Sequence, residues 1–112
     1  MLVEEIKQKT QELTQSIKLL RKNGTDLAQK ERDYKITLTT EALRLKSEGY
    51  AVTLIDKIIY GLPAVAEKRF ARDVAEAMYN ANQEHINAIK LQLRLLENQL
   101  QREYGISGTG TM

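Results

Sequence analysis

The chain has 112 residues, 42% hydrophobic and 29% charged, which places it with single globular domains and excludes both a disordered chain and a second core. Its 17 Lys+Arg and 15 Asp+Glu are spread evenly along the sequence, so there is no basic arm to grip nucleic acid non-specifically. The absence of cysteine removes disulfides, thiol nucleophiles and thiolate metal sites.

From Leu2 to Lys22 the apolar residues Val3, Ile6, Leu13, Ile17 and Leu20 recur at helical spacing, with Ile6, Leu13 and Leu20 a heptad apart. Thr10 interrupts this seam. Lys18, Arg21 and Lys22 gather where cations favour the negative end of the helix dipole, and Asn23-Gly24 reads as a stop. Thr25 or Asp26, the latter with Gln29 three residues on, reads as the cap of a second helix from about Asp26 to Glu48. That helix carries Leu27, Tyr34, Leu38 and Leu45 on one stripe, with Ile36 and Leu43 displaced round the cylinder. A connection this short predicts an antiparallel hairpin.

Gly49 ends the second helix, and Tyr50 to Leu62 is the most apolar stretch of the chain. Thr53-Leu54-Ile55-Asp56 matches a helix-start signal, which predicts a short helix over 53–60 stopped by Gly61. A short strand is the alternative, but it would have nothing to pair with. Pro63 suits a first helical turn, and no Gly or Pro follows until Gly105, which predicts one helix of roughly 40 residues, or about 60 Å. Its first half shows Phe70, Val74, Ala77, Met78, Ala81 and His85. In its second half Ile86, Ile89, Leu93, Leu96 and Leu100 form a seam, with Leu91 and Leu95 off it.

The expected fold is therefore all-α: an antiparallel helical hairpin, a short connector helix and one long C-terminal helix, forming a three-helix bundle or coiled coil over residues 1–105 with a flexible tail at 106–112. Two helices of about 30 to 36 Å cannot flank the long one. Either the short helix covers the Phe70 end while the hairpin packs on the leucine-rich end, or a second copy covers the excess seam; the extent of apolar surface favours a homodimer through Ile86, Ile89, Leu93, Leu96 and Leu100.

Chemistry is sparse in this sequence. His85 is the only histidine and stands among Asn80, Asn82, Gln83, Glu84 and Asn87, so it reads as a polar interface residue, or as part of a polar layer that fixes register, rather than a metal ligand. Gly105, Gly108 and Gly110 follow a helix instead of preceding one, the wrong context for a phosphate loop. No nucleophile has a base within a recognisable pattern. The expectation is a protein without enzymatic activity, cofactor or metal. No apolar run reaches the roughly 18 residues of a membrane span, and Glu4 and Glu5 stand where a signal peptide would be basic, so the expected setting is cytoplasmic, without a membrane.

Arg44, Lys46, Lys57, Lys68, Arg69 and Arg72 would collect near one end of such a bundle, and Tyr50 or Tyr60 could stack on an unpaired base. Glu41, Glu48, Asp56, Glu67 and Asp73 are interleaved with them, which favours a solvated charged face over a nucleic-acid site. The apolar connector points instead to a protein partner docking on Tyr50, Lys57, Tyr60, Leu62, Lys68, Arg69 and Arg72.

The run Gly49-Tyr50-Ala51-Val52-Thr53-Leu54-Ile55-Asp56-Lys57-Ile58-Ile59-Tyr60-Gly61, followed by residues Ala64 to Tyr79, resembles small uncharacterised helical proteins of temperate phages of Gram-positive bacteria, encoded with early replication and recombination genes. The resemblance covers residues 27–104 and carries no catalytic residue. It implies a phage accessory protein in the bacterial cytoplasm, acting on DNA metabolism or on a host defence system.

Overall fold

The computed structural model describes the backbone of residues 1–110 and the side chains of residues 1–104. It contains three α-helices, α1 (Leu2–Ser47), α2 (Val52–Ile58) and α3 (Pro63–Gly110), with a 3-10 turn, Ile59–Gly61, between α2 and α3. The all-α class agrees with the periodicity, and no strand occurs among the described residues. The predicted hairpin does not form. Asn23 and Gly24 lie inside α1, which runs unbroken for 46 residues.

A helix stop of the kind expected at Gly24 needs a residue in the left-handed region, and among the described residues only Gly49 has a positive φ. Gly24 stays helical. A Cβ placed on it would stand 3.4 Å from Cε2 of Tyr79, so this glycine marks the close passage of a ring rather than a turn. A glycine inside a helix costs about 1 kcal/mol relative to alanine. Breaking the helix there would instead orphan about four N–H and four C=O groups, a larger penalty. Asp26, expected as a cap, is a mid-helix residue with Oδ1 3.9 Å from Lys30 Nζ, one turn on.

The genuine stop is at Gly49, φ +91°. Its N–H donates to the carbonyl of Lys46 at 3.1 Å and that of Tyr50 to the carbonyl of Leu45 at 3.1 Å, the paired bonds of a Schellman motif. Thr53 does not cap α2. Ala51 precedes the helix in extended conformation, and its carbonyl accepts from Leu54 and Ile55, both at 3.0 Å. Leu62 is likewise extended (φ −67°, ψ 133°), as a residue before proline prefers, and its carbonyl accepts from Ala66 at 2.8 Å to open α3.

The start of α3 at Pro63 agrees with the sequence, but the helix passes through Gly105 and ends at Gly110. Of the expected tail at 106–112, Thr111, Met112 and the side chains of 106–110 lie outside the described residues. At about 1.5 Å per residue, the 46 residues of α1 and 48 of α3 span about 69 and 72 Å. The length mismatch that predicted a dimer is absent.

The chain divides into two compact units. One joins residues 1–21 to the part of α3 from Asn80 onward. Within it Glu12 meets His85 and Ser16 meets Asn82, so earlier positions on α1 face later ones on α3 and the pairing is antiparallel. Ile86 and Ile89 are buried there, and Ile6, Leu13, Leu20, Leu93, Leu96 and Leu100 are half-buried. Val3 and Ile17, read from spacing as part of the seam, are exposed; the inward polar position is Ser16 rather than Thr10, whose hydroxyl donates to the Ile6 carbonyl at 2.7 Å.

The other unit comprises residues 22–79. Its core is Tyr34 and Leu45 from α1, Ile55 from α2, Ile59 from the 3-10 turn and Val65 from α3, flanked by Leu38, Ala42, Ile58 and Leu62. Val65 is fully buried. Removing a side chain of that size from water contributes about 1.5–3 kcal/mol. Two sharp turns, one on glycine and one before proline, thus fold the connector back onto the ends of both long helices.

Candidate functional site

In the unit of residues 22–79, the connector leaves half of its eight large apolar side chains exposed. Ile55 and Ile59, four residues apart, turn into the core and Ile58 and Leu62 pack partly against it. Tyr50, Val52, Leu54 and Tyr60 remain 42–60% exposed. An α2 of only seven residues cannot turn every apolar side chain inward, so apolar residues stand on both of its faces.

Two arginine–tyrosine pairs lie in the same unit and have different roles. The guanidinium carbon of Arg72 stands 4.6 Å from the centroid of the buried Tyr34 ring. Arg72 Nε and Nη2 donate to Asp73 Oδ1 at 3.0 and 2.8 Å, and Glu31 Oε2 is 3.9 Å away. The hydrogen bonds to Asp73, working against partial burial, hold the Arg72 guanidinium above its ordinary value. This is a clamp between α1 and α3. Arg69 instead stands 5.3 Å from the centroid of Tyr60, a ring 46% exposed, with Arg69 itself exposed. Such a contact orients the ring and leaves an edge and a face to solvent.

The sequence reading placed Tyr50, Lys57, Tyr60, Leu62, Lys68, Arg69 and Arg72 together. The structure holds all seven in this unit, but Leu62 is core packing and Arg72 is committed to Asp73, Glu31 and Tyr34. Neither is presented to a partner. Tyr50, Lys57, Tyr60, Lys68 and Arg69 are exposed. Val52 and Leu54 belong with them and were missed; the signal was their spacing, since neither shares the inward face of Ile55 and Ile59. Of the six cations grouped by sequence, Arg44 is also engaged, bonding Glu41 at 2.8 Å through Nε and Glu48 at 2.9 Å through Nη1; those bonds raise its pKa above the ordinary guanidinium value. Two fewer cations are free for phosphate.

The five residues assigned to dimerisation are used inside the chain. Ile89 is 1% exposed and Ile86 6%, with Leu93, Leu96 and Leu100 half-buried, because α1 runs alongside them. The same unit buries a polar pair: Asn82 Nδ2 donates to the Ser16 carbonyl at 3.2 Å, and both residues are under a tenth exposed. His85 lies at the surface one turn away, its Nε2 3.4 Å from Glu12 Oε1, while Glu12 Oε2 accepts from Lys9 Nζ at 3.2 Å.

Among the described residues, no group of three His, Asp or Glu side chains is placed to hold a metal ion, and no helix is long and apolar enough to cross a membrane. No known protein family, curated protein or solved structure matches this chain.

Proposed function

We propose that the chain is a non-enzymatic interaction module that docks a protein partner through the exposed apolar residues of its connector. The observation that carries this reading is the exposure of Tyr50, Val52, Leu54 and Tyr60 on a segment fixed at both ends, by the Schellman turn at Gly49 and by Pro63. An apolar surface held rigid loses little conformational entropy on binding, and tyrosine is enriched among the residues that dominate interface energies. Lys57, Lys68 and Arg69 supply a polar rim. The resemblance of residues 49–79 to phage early-region proteins sets the proposal in a bacterial cytoplasm, with a host or phage nucleic-acid enzyme, or a defence component, as the partner.

The test compares affinity capture from phage-infected host lysate by the parent chain and by Leu54→Asp and Tyr60→Ala, with helicity checked by circular dichroism. Loss of the captured protein by both variants at parental helicity is expected. Equal capture would remove the connector from the interface. A direct nucleic-acid role is tested separately by fluorescence anisotropy of labelled single- and double-stranded oligonucleotides: saturable binding that survives physiological salt would replace the protein-docking reading, since contacts to phosphate are otherwise steeply salt-dependent.

A further inference from the structure

The helix α3 carries two heptad stripes. Ala75, Tyr79, Asn82, Ile86, Ile89, Leu93, Leu96 and Leu100 are all buried or half-buried. Five residues before each of these lies Phe70, Val74, Ala77, Ala81, Glu84, Ala88, Leu91 and Leu95, and every one is exposed. Five residues at about 100° each rotate the second stripe about 140° from the first, onto the opposite side of the helix. Phe70 is 70% exposed, Leu91 52% and Leu95 58%. Seven of its eight members are apolar, and they repeat at the alternating three and four of a coiled-coil seam.

We propose that this stripe is covered by the same stripe of a second copy of the chain, running antiparallel. Because α3 is one continuous helix from Pro63 to Gly110, the register follows from heptad periodicity. The stripe is matched to its own reverse about a two-fold axis level with Asn82 and Gln83, between Ala81 and Glu84. Phe70 then faces Leu95 of the second copy, Val74 faces Leu91, Ala77 faces Ala88, and Ala81 faces Glu84. Apart from Glu84, side-chain size grows outward from the axis, from Ala81, Ala77 and Ala88 through Val74 and Leu91 to Phe70 and Leu95, as the gap between two crossing helices does.

The flanking positions match as well. On the side away from α1 the stripe is bordered by Asp73, Asn80, Asn87 and Arg94, all exposed. The antiparallel register sets Asp73 against Arg94 of the second copy and Asn80 against Asn87, and two-fold symmetry repeats each pair. Opposite charges meet at both ends and amides in the middle. A parallel register would instead set this border against the other one, Asp73 facing Met78 and Arg94 facing Gln99 of the second copy, and would form no opposite-charge pair. Asp73 already receives Arg72 through one oxygen, Oδ1, and its second oxygen is available to Arg94. Glu84 is the one unfavourable member. This face is separate from the connector surface, so the inference does not depend on the proposed docking there.

The chain lacks cysteine, so single-cysteine variants report the register directly. Ala77→Cys and Ala88→Cys are prepared separately and oxidised mildly, alone and mixed, while sedimentation equilibrium gives the mass of the parent chain. A parental dimer with a disulfide that forms only in the mixture is expected. Cross-linking of either variant alone, a monomeric parent, or a dimer without the mixed disulfide would each overturn the proposal. Asp73→Arg should weaken the dimer and the double exchange Asp73→Arg with Arg94→Asp should restore it, which separates the charge pair from any local effect on Arg72. Glu84→Leu, completing the apolar stripe, should tighten association by about tenfold or more; an unchanged constant would place Glu84 outside the interface and count against the register.

Discussion

Gly24 on α1 and Tyr79 on α3 meet at the distance of an ordinary van der Waals contact: a Cβ on Gly24 would lie 3.4 Å from the ring. Gly24 lies in the interior of a 46-residue helix, so the sign of one substitution is decisive. Gly24→Ala should fit against Tyr79 while removing the helix penalty of glycine, raising stability by about 0.5–1 kcal/mol in thermal unfolding followed by circular dichroism. A turn at Asn23-Gly24 would give the opposite sign. Gly24→Leu should destabilise, because its branches would displace the ring.

Gly49 should respond the other way. Its φ of +91° lies where a side chain clashes with its own backbone, although nothing beyond its chain neighbours lies within 4 Å of an added Cβ. Gly49→Ala should cost about 1–2 kcal/mol for backbone reasons alone. Chemical denaturation midpoints of the two glycine variants, measured together, check this: Gly49→Ala at or above the parent would contradict the Schellman turn.

The two arginines that face tyrosines should separate stability from binding. Arg72→Ala removes a cation–π contact to a buried ring and leaves Tyr34 partly uncovered, so a loss of about 1–2 kcal/mol in unfolding free energy is expected. Arg69→Ala sits at an exposed ring and should change stability by less than about 0.5 kcal/mol. Equal effects would mean that the Arg72 side chain is not a clamp.

Asn82 donates to the Ser16 carbonyl from a buried site, and Asn82→Asp would replace that donor with a carboxylate facing an acceptor. The introduced acid should have a pKa raised above its unfolded value by burial. The folded state then holds more protons than the unfolded state, so stability falls as pH rises through that range. A penalty of about 2–4 kcal/mol is expected at neutral pH, shrinking below about pH 4. A pH-independent penalty in urea unfolding would show the carboxylate reaching water.

Local chemistry accounts for what could be read without coordinates. Apolar spacing dictates helix and its inward seam, as Ile6, Leu13, Leu20, Ile86 and Ile89 illustrate; proline geometry dictates the start of α3, and Gly49 the end of α1. The exposed tyrosines of the connector were also legible, because eight apolar residues in so short a stretch outnumber the inward positions it offers.

Glycine at Gly24 was not legible in that way, since the same residue serves a turn and a close approach and only the presence of Tyr79 distinguishes them. Once α1 is continuous, it covers the seam of Ile86 to Leu100 from within the chain, and the apolar side chains of α3 left exposed include Phe70, Val74, Leu91 and Leu95. Arg72 and Leu62 likewise changed role because Tyr34, Glu31 and the core residue Leu45 come from elsewhere in the sequence. Periodicity fixes which residues share a face of a helix. Which of two apolar faces is filled depends on what packs there, and that was decided by tertiary contacts between residues some 50 to 70 positions apart, such as Gly24 with Tyr79 and Ser16 with Asn82.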